Sequence, residues 1–199
     1  MIVIVNGEQR EIKISSISTL LEVVTQIEVE LAQGHLITEI MLNDKFLDTN
    51  WYHNAGKIYL LDEDVINIRV EQSTVVAHQV LHDSKAKFQL LLKDFEIISQ
   101  SFRIQDEVEA NAKFVQGIEN LQWFLKVLQD ACILMGRPLD KIMDKDVVFT
   151  QHTNNIVDKL DQIIVAQSSK DWVMLADLIE YEMIPALEKI GDLYKILDV

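Results

Sequence analysis

Hydrophobic and polar residues alternate with a period of two over the start of the chain. Ile2–Val5 is β-branched, Asn6-Gly7 follows, and Arg10–Ile14 again alternates polar with apolar residues. An Asn-Gly pair tolerates the positive φ angles of a type I′ turn, and period-two alternation is typical of a strand with one buried face. The pattern predicts an N-terminal β-hairpin and not a signal peptide, because the segment lacks a basic n-region.

The spacing then becomes helical. Ser18 or Thr19 can cap a helix, since a hydroxyl oxygen accepts a free N–H of the first turn. Gly34 occupies the position at which we expect this helix to stop. The apolar residues in between recur every three or four positions and are Leu20, Val23, Val24, Ile27 and Leu31. These signals together predict one amphipathic helix.

Short β-patterns follow this helix. They are Glu39–Leu42, Lys45–Leu47, Lys57–Leu60 and Val65–Val70, with a turn at Asn43-Asp44 between the first two. The resulting order is β-β-α-β-(β)-β, which resembles the β-grasp, or ubiquitin-like, fold over residues 1–71. The resemblance implies a single helix across the sheet and a central closing strand at Val65–Val70. No diglycine tail follows that strand, so the resemblance implies a scaffold or binding module and not a conjugated tag.

The period changes from two to about 3.5 near Glu71–Ser73, with no Gly-, Pro- or Ser-rich linker. We therefore predict a β-grasp-like domain at 1–71 joined stiffly to a helical domain at 72–199. The first two helices carry heptad-like seams, namely Leu81, Ser84, Phe88, Leu91, Phe95, Ile98 and Phe102, then Phe114, Ile118, Leu121, Leu125, Leu128, Cys132 and Met135.

Two further helices are predicted. The third spans 146–166, after a loop at 139–144, and the fourth begins at a cap provided by Ser168 or Ser169. Pro185 falls inside the fourth helix and predicts a kink there, because proline lacks the N–H of the helical hydrogen bond. The predicted fold class is α+β, a small β-grasp-like domain followed by an antiparallel four-helix bundle with short connections.

The net charge of −14 divides evenly, −7 for residues 1–72 and −7 for residues 73–199. Neither part is basic, so binding to nucleic acid or to an anionic membrane is disfavoured. The acidity favours solubility and is also compatible with a basic partner. Cys132 is the single cysteine and cannot form an internal disulfide, so the expected location is the cytoplasm. Its apolar neighbours predict that it is buried.

Candidate metal and catalytic residues are few. His78 and His82 are four apart and lie on one helix face, so they could share a Zn²⁺ only if third and fourth ligands were supplied. No Glu-x-x-His pair of the kind that builds di-iron sites in helical bundles occurs. His152 lies on the third helix and is interpreted as polar surface or a satisfied histidine. We expect no cofactor, no metal and no catalytic residue.

Aromatic residues are the candidates for binding a protein partner, because they are enriched at such interfaces. They are Trp51, Tyr52, Trp123, Phe124 and Tyr181. Trp51 is alternatively interpreted as covering the core of the small sheet, and Trp172 as closing one end of the bundle. The stretch from Asp171 to Pro185 resembles helical-bundle domains of uncharacterised bacterial proteins. In size and charge the bundle also resembles bacterial export and flagellar chaperones.

The sequence therefore predicts a non-enzymatic protein–protein interaction module, adaptor-like or chaperone-like, with a groove on the 114–135 helix for a partner helix. One alternative is a structural homo-oligomer, in which a second copy covers the apolar face formed where Val115, Phe124 and Val127 widen the seam of the 114–135 helix. The other alternative is a metal-binding protein that uses His78 and His82.

Overall fold

The N-terminal strands form a five-stranded mixed sheet. The computed structural model describes residues 1–12, 18–48, 51–104 and 107–197. The strands of this part are β1 (Ile2–Val5), β2 (Glu8–Arg10), β3 (Ser18–Thr19), β4 (His35–Leu42), β5 (Lys45–Phe46), β6 (Tyr59–Leu60) and β7 (Val65–Gln72). The sheet order is β2-β1-β7-β4-β5, with β1 parallel to β7 and the other pairs antiparallel. The predicted central position of the closing strand is confirmed.

Two predicted turns are confirmed, and their asparagines hold the two ends of β7. Asn6 (φ 50°) and Gly7 (φ 84°) connect β1 to β2. The Asn6 side chain donates to the Val70 carbonyl and accepts from the Val70 N–H, both at 2.9 Å. Asn43 (φ 49°) turns β4 into β5, and its Oδ1 accepts from the Val65 N–H at 2.9 Å. The residues that make the turns therefore also fix the central strand.

Helix α1 spans Leu20–Glu30 and begins at the predicted cap. Thr19 accepts from the Glu22 N–H, and Glu22 in turn accepts from the Thr19 N–H, which makes a capping box. The predicted stop at Gly34 is wrong, because the helix ends at Glu30 with Leu31 as its C-cap. Gly34 (φ 80°) lies in the turn that leads into β4.

Other boundaries in this part also differ from the prediction. Trp51 begins a short helix, α2 (Trp51–Asn54), which continues into a 3₁₀ turn at Ala55–Lys57. Only the last two residues of the predicted strand Lys57–Leu60 pair, as β6, and their partner is β3 and not the main sheet. Strand β2 ends at Arg10, and residues 13–17 lie outside the described residues, so the prediction for Lys13 and Ile14 has no structural counterpart here.

The chain divides into two compact units, Met1–Val76 and Ala77–Val199. The first has its own hydrophobic core, built from the inward faces of the sheet and of α1. Its buried apolar residues are Val3, Val5, Leu20, Val23, Val24, Ile27, Ile40, Ala55, Leu60, Ile66, Ile68 and Val70. The sheet and α1 bury apolar faces in the same core, so neither element would be stable without the other.

The second unit is mainly helical. Its elements are α3 (which begins in the first unit and spans Ser73–Arg103), α4 (Glu107–Leu134), a 3₁₀ turn (Leu139–Lys141), β8 (Met143–Asp144), β9 (Val147–Val148), α5 (Phe149–Ser168), α6 (Trp172–Leu178), a π-helical turn (Ile179–Met183) and α7 (Ile184–Ile196). The fold class α+β is confirmed, as a mixed sheet followed by helices. No helix among the described residues has the length and apolar character that a membrane crossing requires.

The predicted seam of α3 is confirmed as its core-facing side. All seven predicted positions, from Leu81 to Phe102, are buried. Phe88 stacks on Phe124 of α4 with ring centroids 4.7 Å apart, and Phe102 contacts Phe114 of α4 at 6.2 Å. Since the later residue of α3 meets the earlier residue of α4, the two helices run antiparallel.

The connection between α4 and α5 differs from the prediction. Met143–Asp144 pairs with Val147–Val148 in a small hairpin, so α5 begins at Phe149 and not at residue 146. The sequence gives only a weak signal for this hairpin, because the residue with positive φ in its turn is Lys145 and not glycine or asparagine. Only the 3₁₀ turn at Leu139–Lys141 agrees with the predicted partly helical loop.

The start of the last helical segment also differs. Asp171, and not Ser168 or Ser169, is the N-cap, and its Oδ1 accepts from the Met174 N–H at 3.0 Å. Ser168 is still part of α5, and Ser169 is the C-cap of α5. Both serines donate to carbonyls one turn earlier in α5, so their hydroxyls are engaged at the end of one helix and not at the start of the next.

The predicted irregularity near Pro185 takes the form of a π-helical turn. Ile179–Met183 is π-helical, and the Ile184 N–H donates to the Ile179 carbonyl, five residues earlier. Pro185 then lies in the first turn of α7, where a missing N–H costs least. One extra residue in the turn therefore accommodates the proline within an otherwise continuous helical segment.

Two glycines allow helices to approach α3 closely. A Cβ on Gly117 of α4 would lie 2.8 Å from Ile98 Cδ1, and a Cβ on Gly191 of α7 would lie 2.7 Å from Phe88 Cε1. The isoleucine methyl can rotate away. The Phe88 ring cannot do so readily, because it is held by its stack on Phe124.

We predict that Gly191→Ala destabilises the helical unit by about 1–3 kcal/mol despite alanine's higher helix propensity, because the added methyl overpacks the core at the Phe88 ring. Gly117→Ala is the matched comparison and should cost less, since only the end of a flexible side chain must move. Urea unfolding followed by circular dichroism measures both. A stabilised Gly191→Ala variant would contradict the packing described.

A second prediction concerns alkaline pH. Burial raises the pKa of the Tyr194 hydroxyl from 10.0 to about 12, although the hydrogen bond with Ser84 acts in the opposite direction. The unfolded chain therefore loses this proton at lower pH than the folded chain does. The free energy of unfolding should fall as pH rises from about 10 towards 12.

Tyr194→Phe should remove roughly 2 kcal/mol of this decline. Ser84 keeps a hydrogen bond to the Leu81 carbonyl at 2.8 Å in that variant. Urea unfolding at pH 8 and pH 11.5 makes the comparison. An equal decline in both proteins would show that Tyr194 is not the titrating group.

Candidate partner-binding surfaces

One exposed surface is formed by α6 and the π-helical turn. Its residues are Asp171, Val173, Met174, Asp177, Leu178, Tyr181 and Glu182, which line a shallow depression of about 460 Å³; we call it the acidic surface. Val173 (59% exposed), Met174 (49%) and Tyr181 (64%) leave large apolar or aromatic area in solvent. The inward face of the same segment is buried, so these three side chains form a second, outward apolar row.

Two cations hold the carboxylates at the edge of the acidic surface. Arg103 Nη2 lies 2.7 Å from Asp177 Oδ1 and 2.8 Å from Glu180 Oε2. Lys159 Nζ lies 2.8 Å from Glu182 Oε2. Ion pairs this exposed stabilise a fold by at most about 1 kcal/mol each. Their main effect here is to position the carboxylates around the apolar row.

The second surface is a groove between α3 and α4. Lys87, Leu90, Leu91, Asp94, Asn120, Trp123 and Phe124 line one depression, and Asp94, Ile97, Ile98, Lys113, Gln116, Gly117 and Asn120 line the next. Each has a volume of about 230 Å³, and they share Asp94 and Asn120, so they form one α3–α4 groove. Leu90 (59% exposed), Ile97 (48%) and Trp123 (49%) provide its exposed apolar area.

The charges of the α3–α4 groove are mixed. Lys87 Nζ lies 4.9 Å from the centroid of the Trp123 ring, within the range of a cation–π contact. Lys113 Nζ lies 2.6 Å from Glu109 Oε1, one turn earlier on α4. Asp94 makes no ion pair with any residue in the described parts of the chain. The groove therefore has a fixed cation at one end and a carboxylate available near its middle.

The structure separates the five aromatic residues predicted to bind a partner. The side chains of Trp123 and Tyr181 are exposed and lie in the two surfaces, and Tyr52 is 54% exposed. The prediction that Phe124 binds a partner is wrong, because its side chain is 2% exposed and stacks on Phe88 in the core. Trp51 is half-buried against the core of the first unit, as the alternative interpretation expected, and lies in the short helix α2.

The predicted binding face on α4 is also narrower than its sequence pattern suggests. Of its seam, Phe114, Leu121, Leu128 and Cys132 are buried, and Ile118, Leu125 and Met135 are partly buried against the same core. The wide apolar face of α4 is mostly used to contact its neighbours. Outside this core, the α4 residues Lys113, Gln116, Asn120 and Trp123 line the α3–α4 groove.

The histidine pair is exposed on α3. His82 Nδ1 lies 3.4 Å from Asp83 Oδ1, and Asp83 also accepts from Gln79 Nε2 at 2.9 Å. Both hydrogen bonds lower the pKa of Asp83, and the bond from Gln79 has the larger effect. In the part of the chain that the structure describes, no group of three or more His, Cys, Asp or Glu residues is placed to hold a metal ion.

His152 and Cys132 have structural surroundings. His152 Nε2 lies 3.2 Å from Asp144 Oδ2 of the small hairpin but is not aligned for a hydrogen bond. Its ring contacts Phe149 edge-on at 5.5 Å. Cys132 is fully buried, as predicted, and burial raises the pKa of its thiol to about 11. The thiolate that a nucleophile requires is therefore disfavoured at neutral pH.

Sequence reasoning missed Leu90, Ile97, Val173 and Met174. A signal for the first two exists, because Lys87, Leu90, Asp94 and Ile97 follow steps of three and four residues on α3, one position away from the core seam. Two parallel seams on one helix indicate contacts on two sides. Met174, Asp177, Leu178 and Tyr181 likewise follow steps of three and four residues, although the π-helical turn that contains Tyr181 makes the last step irregular.

Comparison with known proteins gives one finding. A family model described as Domain of unknown function (DUF8042) matches residues 79–193, more than half of the chain. The match extends from α3 into α7 and includes both candidate surfaces. No curated protein and no solved structure matches the chain.

The different positions of Leu121 and Trp123 lead to a prediction. Leu121→Asp places a charge at a 1%-exposed core position and should unfold the helical unit, with a loss of at least about 3 kcal/mol. Trp123→Ala removes a half-exposed side chain and should cost about 1 kcal/mol or less. Circular dichroism and thermal unfolding distinguish the two. A folded Leu121→Asp protein would contradict the packing of α4.

Proposed function

The chain belongs to the family described as Domain of unknown function (DUF8042), and we propose that it acts as a non-enzymatic, adaptor-like protein-binding module. Its acidic surface binds a basic, partly apolar segment of a protein partner. The observation that carries this proposal is the row of Val173, Met174 and Tyr181, each about half exposed or more and bordered by carboxylates.

The apolar row supports binding to protein. Tyrosine and methionine are enriched in the centres of protein interfaces, where they contribute large contact area. Tyr181 offers a ring with a polar hydroxyl, and Met174 offers an adaptable side chain that packs against varied partners. Three such side chains side by side favour a binding surface over isolated exposed residues, which need no explanation on their own.

The charge of the surface supports a basic partner. Asp171, Asp177 and Glu182 line the surface and Glu180 lies at its edge, and within the described residues the ion pairs of these four carboxylates involve two cations, Arg103 and Lys159. The whole chain carries −14, so its long-range field attracts a basic partner as well. Such attraction mainly raises the association rate and decreases with added salt.

The π-helical turn supports a role for this segment. Such turns are uncommon within helices and occur frequently at functional sites. Here the turn carries Tyr181 and follows the residues that carry Met174, so it determines how the two side chains are spaced. Pro185, directly after the turn, makes a regular helix unfavourable at this point and so maintains the spacing.

We further propose finer fold assignments. The sheet order β2-β1-β7-β4-β5 and the single long helix α1 support a β-grasp arrangement of the first unit. The four helical segments of the second unit, α3, α4, α5 and α6–α7, share one hydrophobic core and support a four-helix bundle. In this arrangement the first unit is a scaffold or second binding module, and its exposed Tyr52 is its candidate contact residue.

The experiment is quantitative capture of proteins from the source organism on immobilised full-length chain. The double variant Met174→Ala/Tyr181→Ala tests the acidic surface, and Val157→Ala/Val165→Ala is the matched control because both valines are exposed on α5. We expect the wild type and the control to capture the same basic proteins. The amount of each captured by the test variant should be lower by at least about tenfold.

Salt provides a second readout of the same capture. Raising ionic strength to about 1 M should release the captured proteins if carboxylates attract them. Capture of the same proteins in equal amounts by the double variant would contradict the proposal. So would a captured set that is acidic, or that is unaffected by salt.

A further inference from the structure

The α3–α4 groove differs from the acidic surface in charge, which points to a different occupant. Its charged residues are Lys87, Asp94 and Lys113, so it has no acidic excess although the chain carries −14. A second copy of this chain, equally acidic, is repelled by most of the surface but not here. We propose that the α3–α4 groove is the interface of a two-fold symmetric homodimer, occupied by the same groove of a second copy.

The positions of Lys87 and Asp94 suit a two-fold axis. In a symmetric dimer, if residue i contacts residue j of the partner, then j contacts i. Lys87 and Asp94 are two turns apart on the same face of α3, about 10 Å along the helix. Antiparallel α3 helices that cross midway between them bring each lysine next to the other copy's aspartate, which gives two ion pairs.

The apolar residues take positions that fit this axis. Leu90 lies midway between Lys87 and Asp94, so it contacts its own counterpart at the centre of the interface. Ile97 and Trp123 lie on either side and cover the remaining apolar area. Protein interfaces in general have an apolar centre and a polar rim, and this arrangement has both.

Lys87 and Asp94, the two charges that the proposed dimer pairs, are available for the partner. Asp94 makes no ion pair within the described residues, and Lys87 is held above the Trp123 ring with its ammonium near the groove. By contrast, a third depression of about 390 Å³ between α4 and α5 has Asp140 as its one charged lining residue. It offers apolar contact but no opposite charges to fix a register, so the α3–α4 groove is the better interface.

Dimerisation would also change the apparent affinity for a partner. The acidic surface uses α6 and the π-helical turn and shares no lining residue with the groove. A dimer would therefore present two acidic surfaces, which increases the apparent affinity for a partner that carries two basic segments.

Sedimentation equilibrium of the full chain, between about 1 and 100 μM, tests the proposal through a charge swap. We expect the wild type to be a dimer. The dimer Kd should rise at least tenfold in both Lys87→Asp and Asp94→Lys, because each single variant replaces the two ion pairs across the axis with two pairs of like charges. The double variant Lys87→Asp/Asp94→Lys should recover dimerisation to within threefold of the wild type.

Matched controls change the net charge equally at another place. Arg10→Asp and Glu8→Lys alter an exposed ion pair in the first unit and should leave the dimer Kd within threefold. A monomeric wild type overturns the proposal. A dimer whose Kd is unchanged by both single variants, or is not recovered in the double variant, overturns it as well.

Cross-linking locates the axis independently. Leu90→Cys should give a disulfide-linked dimer when diamide oxidises the two thiols, since Leu90 meets its counterpart. Val165→Cys, at a position on α5 that is at least as exposed, should not. Native Cys132 is fully buried and should remain unreacted in both. Equal cross-linking of both variants, or none of either, would overturn the placement of the axis.

Discussion

The stack of Phe88 on Phe124 determines how α3 and α4 present the rest of their side chains. The two rings lie 4.7 Å apart and nearly parallel, and Tyr194 of α7 contacts both. A helix is rigid, so fixing Phe88 inward also fixes the outward direction of residues offset from it. Lys87 and Leu90 then face the groove. The same holds on α4, where an inward Phe124 leaves Trp123 at the edge.

In its described residues, the helical unit has one core and, among its outward surfaces, two that differ in charge. We assign a basic partner to the acidic surface, and a second copy of the chain to the α3–α4 groove, whose charged lining residues are two lysines and one aspartate. The two roles are compatible, because the surfaces share no lining residue. The residues of both surfaces lie within the range 79–193 that the family model matches.

Local signals in the sequence determined much of this fold. The Asn6-Gly7 turn, the capping box at Thr19 and the core seam of α3 follow from chemistry within a few residues, and each was predictable. Phe124 was misplaced because a seam of α4 widened on both sides does not reveal which side meets a neighbour. The hairpin before α5 was missed because two-residue strands have no detectable period.

The candidate surfaces were less predictable than the fold. Tyr181 and Trp123 were found by residue type, because aromatic residues are enriched at protein interfaces. Leu90 was missed although it follows the core seam of α3 at an offset of one position. Met174 was missed because an apolar residue on a helix gives no sign of exposure until the core-facing side is known. The π-helical form of the turn at Ile179–Met183 was not predictable either, since Pro185 indicated only that the helix is irregular nearby.

Hydroxyl-radical footprinting of the full chain at two protein concentrations, read residue by residue by mass spectrometry, tests the account most directly. Oxidation of Leu90, Ile97 and Trp123 should fall as the concentration rises into the dimeric range, while Met174 and Tyr181 should stay as reactive as before. Unchanged oxidation of the groove, or equal protection of both surfaces, would contradict the assignment of one surface to a second copy and the other to a basic partner.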